Sequence, residues 1–148
     1  MLLTLPCCRD KIPDTEKIRK LMNMKRLYAL RGATGAENTA DSIRSNVSEM
    51  CLTLFQKNNL SPEDIVSIQF TMMSDLTAMN PAAALRRGQN EFDVSNIALF
   101  TSQEAQIDNS PEKMIRVLVT CYLPEKSELH HVYINGGEKL RPDFASKK

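Results

Sequence analysis

Arg116 stands in the most apolar stretch of the chain, Met114–Leu123 (MIRVLVTCYL), and Arg31 stands in a second such stretch, Leu27–Gly35 (LYALRGATG). A strand alternates its side chains, so Met114, Arg116, Leu118, Thr120 and Tyr122 share one face, and Leu27, Ala29, Arg31 and Ala33 share one face of their own strand. A guanidinium keeps its proton in a protein, so on an inward face it requires an anion, from the protein or from a ligand. Left unpaired there it would cost on the order of several kcal/mol, comparable to the stability of a small domain. A single case is most simply an internal ion pair. Repetition changes that reading: Arg86 follows Pro81–Leu85, and Arg141 precedes Pro142. Two inward strand arginines with two more near element ends suggest a pocket shaped for an anionic molecule. Glu104 and Tyr133 complete the polar set. Several fixed cations, one carboxylate and one phenol suit binding of a dianion and stabilisation of charge that develops during reaction, with no proton transfer or covalent intermediate required.

Other chemistries lack their residues. There is no Ser-His-Asp order in a nucleophile context, no Gly-rich phosphate loop and no paired-carboxylate motif. The two histidines, His130 and His131, are adjacent and read as structural or surface residues, and no C-x-x-C pair exists, so metal-ligand spacing is missing. Cys51 and Cys121 read as small apolar core residues of a helix and a strand, which makes a reduced, cytoplasmic setting the simplest. The net charge of +1 provides no long-range field for nucleic acid or an anionic membrane, and tryptophan is absent. No run of about 18 apolar residues and no signal-peptide pattern occurs.

These residues must be positioned by a single domain, for which 148 residues with 42% apolar and 25% charged content are ample. Residues 1–23 differ from the rest: Cys7-Cys8 leads into a charged run with Pro13 inside it, read as an appended, poorly ordered extension. Met24 directly precedes the first strand and is a candidate natural start, leaving residues 24–148 as the functional domain with a flexible tail. The pattern predicts strands over about 25–33, 65–73, 95–102, 114–123 and 130–134, with a final pairing segment at Lys139–Leu140. A helix over about 40–57 carries Ile43, Val47, Met50, Cys51, Leu54 and Phe55 at helical spacing, and Asn80-Pro81 begins a short helix that ends at Gly88. The expected fold is α/β or α+β, a mixed sheet with one long helix on a face. One 18-residue helix cannot cover such a sheet, so association through the bare face is expected.

Six motifs, LRGATG (30–35), DLTAMNPAAALR (75–86), Gln103-Glu104, IRVLV (115–119), HVYI (131–134) and LRPD (140–143), occur in an order that closely resembles the monofunctional, barrel-like class of chorismate mutase. The steps of twelve residues from Glu104 to Arg116 and eight from Tyr133 to Arg141 fit the same pattern. The resemblance, covering about residues 25–144, implies a homotrimeric pseudo-α/β-barrel with three active sites at clefts between subunits. It implies the Claisen rearrangement of chorismate to prephenate in phenylalanine and tyrosine biosynthesis, with no cofactor and no metal. By that resemblance Arg116 lies against the ether oxygen and a carboxylate of the substrate, and Arg31 clamps a carboxylate. Glu104 accepts from the ring hydroxyl, and Tyr133 donates to a carboxylate. Arg86 adds positive potential at the mouth, Leu99, Phe100 and Thr101 line the wall, and Leu140 and Arg141 belong to a C-terminal segment that folds over the ligand. Two departures stand out: Ala83 where the family usually has lysine, and Asn80 where it commonly has an aromatic. The step from Arg86 to Glu104 is also about three residues longer than usual. The competing reading is a trimer of similar shape that binds small dicarboxylates without catalysis or hydrolyses imines.

Overall fold

The computed structural model describes residues 24–88 and 91–145. The expected N-terminal extension, residues 1–23, lies outside them, as does the end of the tail. Five strands form one mixed sheet: β1 (Lys25–Gly35), β2 (Ile65–Met72), β3 (Ala98–Gln103), β4 (Met114–Pro124) and β5 (Val132–Ile134). Their order is β3-β2-β4-β1-β5. The long central strand β4 runs antiparallel to both β1 and β2, while β3 and β5 add parallel edges to β2 and β1.

Helix α1 (Ala40–Lys57) lies on one face of this sheet. It starts where Thr39 accepts the backbone N–H of Ser42, and it buries Ile43, Val47, Met50, Cys51, Leu54 and Phe55, the stripe its spacing predicts. Opposite them, Leu30, Ile68, Phe70, Ile115, Val117, Val119 and Cys121 point in from alternate strand positions. Full burial of each such side chain contributes about 1.5–3 kcal/mol, so this interface dominates the folding energy. Cys51 and Cys121 are buried free thiols. Burial pushes the Cys51 thiol far up, and burial with the nearby Asp64 carboxylate pushes Cys121 up to about 11, so neither is an activated nucleophile.

Three boundaries differ from the sequence expectation. Strand β3 starts at Ala98 because Asp93 accepts the backbone N–H of Ser95, and Val94 accepts that of Ile97, which turns the chain before it can pair. Strand β5 starts at Val132 because His130 is tied to Asn58, whose amide also reaches Leu54 at the end of α1. The Lys139–Leu140 segment does not pair with the sheet. It belongs to a turn of 3-10 helix, Gly137–Leu140, which follows the left-handed Asn135-Gly136 reversal and leads into the short helix α3 (Pro142–Ala145). Helix α2 (Pro81–Gly88) bridges β2 and β3. Asn80, one of the departures, begins α2 by accepting the backbone N–H groups of Ala82 and Ala83. Part of the longer step after Arg86 is folded inward: Phe92 stacks on Phe55 at 4.3 Å, and Val94 is buried.

Candidate active site

The face of the sheet that α1 does not cover is built from the alternate residues of each strand. Pairing registers set Phe100, Gln69, Leu118 and Arg31 in one cross-strand row, and Ser102, Thr71, Arg116, Ala33 and Tyr133 in the next. Arg31 is therefore a diagonal neighbour of Arg116, a separation that long side chains span readily. Between these rows and the C-terminal turn lies a cavity of about 580 Å³, lined by Arg31, Gly32, Gln69, Thr71, Arg116, Val117, Leu118, Tyr133, Leu140 and Arg141. That volume suits a small-molecule ligand.

The arginines do not face the interior of the chain, which corrects the expectation of two inward guanidiniums. Arg31 is exposed, and the Arg116 side chain is 42% exposed. Helix α1 takes the opposite side of the sheet, so the odd and even positions of β4 separate core from site. Arg116 does have a protein carboxylate: its Nη1 lies 3.0 Å from Oε1 of Glu104, which is largely buried. The backbone N–H of Glu104 donates to Met72 just beyond the end of β3, and its Oε2 accepts the hydroxyl of Thr71 at 3.3 Å. The pair does not exhaust the guanidinium, because Nε of Arg116 is buried without a hydrogen-bond partner. Arg31 forms no ion pair among the described residues.

The mouth of the cavity is closed on one side by the C-terminal segment. Arg141 donates from Nε and Nη2 to the two oxygens of Asp143 at 2.9 and 2.6 Å, and its guanidinium lies 4.3 Å from the Phe144 ring centre. The Phe144 ring in turn stacks on Tyr133 at 5.9 Å and meets His131 edge-on at 5.1 Å. The Arg141 guanidinium holds the Asp143 carboxyl below the usual carboxylate range. His131 is more than a surface residue: its Nδ1 accepts the backbone N–H of Arg31 at 3.1 Å. Burial, then the charges of Arg31 and Arg141, lower its pKa and favour the neutral ring.

Arg31, Arg116, Tyr133, Leu140 and Arg141 thus share one cavity, with Glu104 bound to Arg116 at its edge. The remaining candidates stand apart. Leu99 and Thr101 pair with Ile68 and Phe70 and therefore face the helix side, where the Thr101 hydroxyl donates to Asn80 at 3.1 Å. Phe100 is on the open face, 64% exposed, beside Gln69 but outside the cavity. Arg86 is exposed in the last turn of α2, also outside it. Residue-type reasoning missed Thr71 and Gln69, although alternation along β2 puts both on the open face. It also gave no role to Asp143, the last residue of the LRPD motif, or to Phe144 after it.

The chorismate mutase type I family profile matches residues 27–144. The chain is 30% identical over 120 residues to the chorismate mutase AroH of Thermus thermophilus, covering 79% of this chain and 95% of that protein. It is 28% identical over 124 residues to the chorismate mutase AroH of Bacillus subtilis (strain 168), covering 82% and 95%. Among solved structures, a chorismate mutase from Clostridium thermocellum superposes with a TM-score of 0.68 at 36% identity, covering 76% of this chain and 98% of that one. These matches give no support to a non-catalytic dicarboxylate binder or an imine hydrolase.

Proposed function

The chain belongs to the type I chorismate mutase family, an isomerase family with chorismate as substrate and prephenate as product, and from that premise we propose how its own residues carry the reaction. Chorismate bears two carboxylates, and its rearrangement is pericyclic, needing no nucleophile, metal or cofactor. Catalysis then consists of holding the compact conformer and of stabilising negative charge on the breaking ether oxygen. Arg116 serves the ether oxygen and one carboxylate, Arg31 clamps a carboxylate, Glu104 accepts from the ring hydroxyl, and Tyr133 donates to a carboxylate. Arg141 and Leu140 close over the ligand from the C-terminal turn. The observation that carries this reading is the cavity that Arg116 shares with Arg31, Tyr133 and Arg141, where a guanidinium tied to one carboxylate is still partly exposed. Donors fixed before the substrate arrives need no reorganisation as charge develops.

The assembly is part of the proposal. Leu27, Leu118, Tyr122 and Phe100 stand 51%, 36%, 45% and 64% exposed, and the register puts all four on the open face, an apolar surface suited to a subunit interface. Phe100 and Arg86, which the family pattern assigns to the site, are exposed and lie off the cavity of their own chain, so each is better placed to serve the cleft of a neighbour. A homotrimer with three shared sites satisfies both observations. The functional domain is residues 24–148, supported by the family match from residue 27 onward, in a cytoplasmic enzyme of phenylalanine and tyrosine biosynthesis.

The direct test mixes purified protein with chorismate and follows the loss of its absorbance. Turnover at catalytic enzyme concentration is expected, and no change at micromolar enzyme would refute the assignment. Shared sites are tested by co-expressing two separately inactive chains, Arg116→Ala and Arg86→Ala. In a closed ring that draws the two residues from adjacent subunits, about a quarter of the interfaces regain both, so activity returns. An inactive mixed assembly would show that one chain supplies the whole site.

A further inference from the structure

We propose that Thr71 is a positioning residue for this reaction: its hydroxyl fixes the Glu104 carboxylate so that Arg116 is engaged through one nitrogen and keeps its other donors for substrate. The inference rests on the reading of the Arg116 cavity given above and adds a residue to it.

Thr71 is set by the sheet. It pairs directly with Arg116 across β2–β4 and with Ser102 across β2–β3, so all three project from the open face. Glu104 leaves the end of β3 with its backbone anchored to Met72, the residue after Thr71. Its carboxylate is divided between two strands: Oε1 meets Nη1 of Arg116 at 3.0 Å, and Oε2 accepts from Thr71 Oγ1 at 3.3 Å. Each oxygen has one partner, and together they fix a torsion that is otherwise broad and roughly two-fold.

Without the hydroxyl, Oε2 loses its only partner among the described residues. The nearest strong donor is then the guanidinium itself, and arginine favours two-pronged pairing with carboxylates. A carboxylate that turned to take a second guanidinium nitrogen would hold Arg116 as a closed internal pair and compete with the ligand for its donors. It would also turn away the oxygen that should receive the substrate hydroxyl. Thr71 keeps the pair open, and it does so from a strand position where a β-branched residue fits the sheet.

The test compares Thr71→Val, which keeps the shape and removes the hydroxyl, with Thr71→Ser, which keeps the hydroxyl. The valine variant should retain the wild-type Tm and lose about tenfold in kcat/KM, with kcat falling and KM rising, whereas the serine variant should stay within about threefold of wild type. On a Glu104→Gln background the valine substitution should add no more than about twofold, because the group it positions is already gone. An unimpaired valine variant, equal impairment of valine and serine, or full additivity with Glu104→Gln would each overturn the proposal. Wild-type turnover of chorismate, measured alongside, separates these outcomes from failure of the functional reading itself.

Discussion

Replacing Arg116 by lysine keeps the charge and removes the planar fork. With Nη1 paired to Glu104 and Nε buried, the guanidinium keeps its remaining terminal donors for the cavity that it lines. A lysine ammonium is a compact point charge, and the Glu104 carboxylate fixed by Thr71 is its nearest partner. Two donors to the substrate are therefore lost and at most one is regained. At about 1.5–3 kcal/mol for each hydrogen bond to a charged group, the net loss is a single such bond. If that bond strengthens as the ether breaks, kcat falls about 10- to 150-fold. Capture of the ammonium by Glu104 moves the result to the upper end of that range. On the roles proposed for Arg31, Arg141 and Tyr133, which leave the carboxylates held, KM should rise much less. Stability should change little, because a half-exposed ion pair contributes only about 0–1 kcal/mol. The assay is steady-state loss of chorismate absorbance on R116K and wild type, with thermal melts of both. A variant with kcat near wild type and a raised KM would refute the reasoning, because it would make Arg116 a ground-state anchor with no preference for the transition state.

Asp143→Asn should release Arg141 for the substrate and lower KM about two- to fivefold with kcat unchanged. A higher KM would show instead that Asp143 holds Arg141 in its working position. At Gly35 a Cβ would stand 2.4 Å from the carbonyl oxygen of Asn135, a backbone atom that also accepts the Gly35 N–H. Gly35→Ala should therefore destabilise by about 1–3 kcal/mol, and an unchanged Tm would contradict the close approach. His131 has a folded pKa below its unfolded value, so the unfolded chain takes up the proton first as pH falls. Its contribution to stability is full above the unfolded pKa of about 6.5 and is lost as pH drops through the window below it. Protonation also removes the Nδ1 acceptor for the Arg31 N–H. Urea midpoints from pH 7.5 down to 5.5 should fall more steeply for wild type than for His131→Gln, and parallel curves would refute the assignment.

Elements whose signal is local were legible in the sequence. The spacing of Ile43 through Phe55 and the Thr39 cap define α1 at its observed bounds, and the apolar run from Met114 defines β4. Which face is covered was not legible in the same way. Alternation separates Arg116 from Val117, but only packing of α1 against Val117 and Val119 decides that the arginine side is open. The same limit explains the arginines read as inward. The family resemblance assigns Leu99, Phe100 and Thr101 to one wall, yet a strand sends the middle one to the opposite side of its neighbours. Thr71 and Asp143 escaped notice for another reason. Thr71 acts through Glu104, far along the chain, Asp143 only modulates its neighbour Arg141, and neither residue type is unusual where it stands.

The charge arrangement also answers a stability problem that a cavity lined by three arginines must meet. Three arginines around one cavity would repel one another and destabilise the fold if all were buried and bare. Here Arg31 remains in solvent, Arg141 lends itself to Asp143, and Arg116 is paired with Glu104 through one nitrogen. Each solution is reversible. Substrate carboxylates can replace water at Arg31 and Asp143 at Arg141, whereas Glu104 need not leave Arg116, because it occupies a single nitrogen. The interaction that must be fixed for catalysis is thus the one carboxylate pair braced from both sides, and the interactions that must exchange are those at the exposed rim. On the proposed roles, binding and release exchange partners at the rim while the Arg116–Glu104 pair stays in place on the sheet.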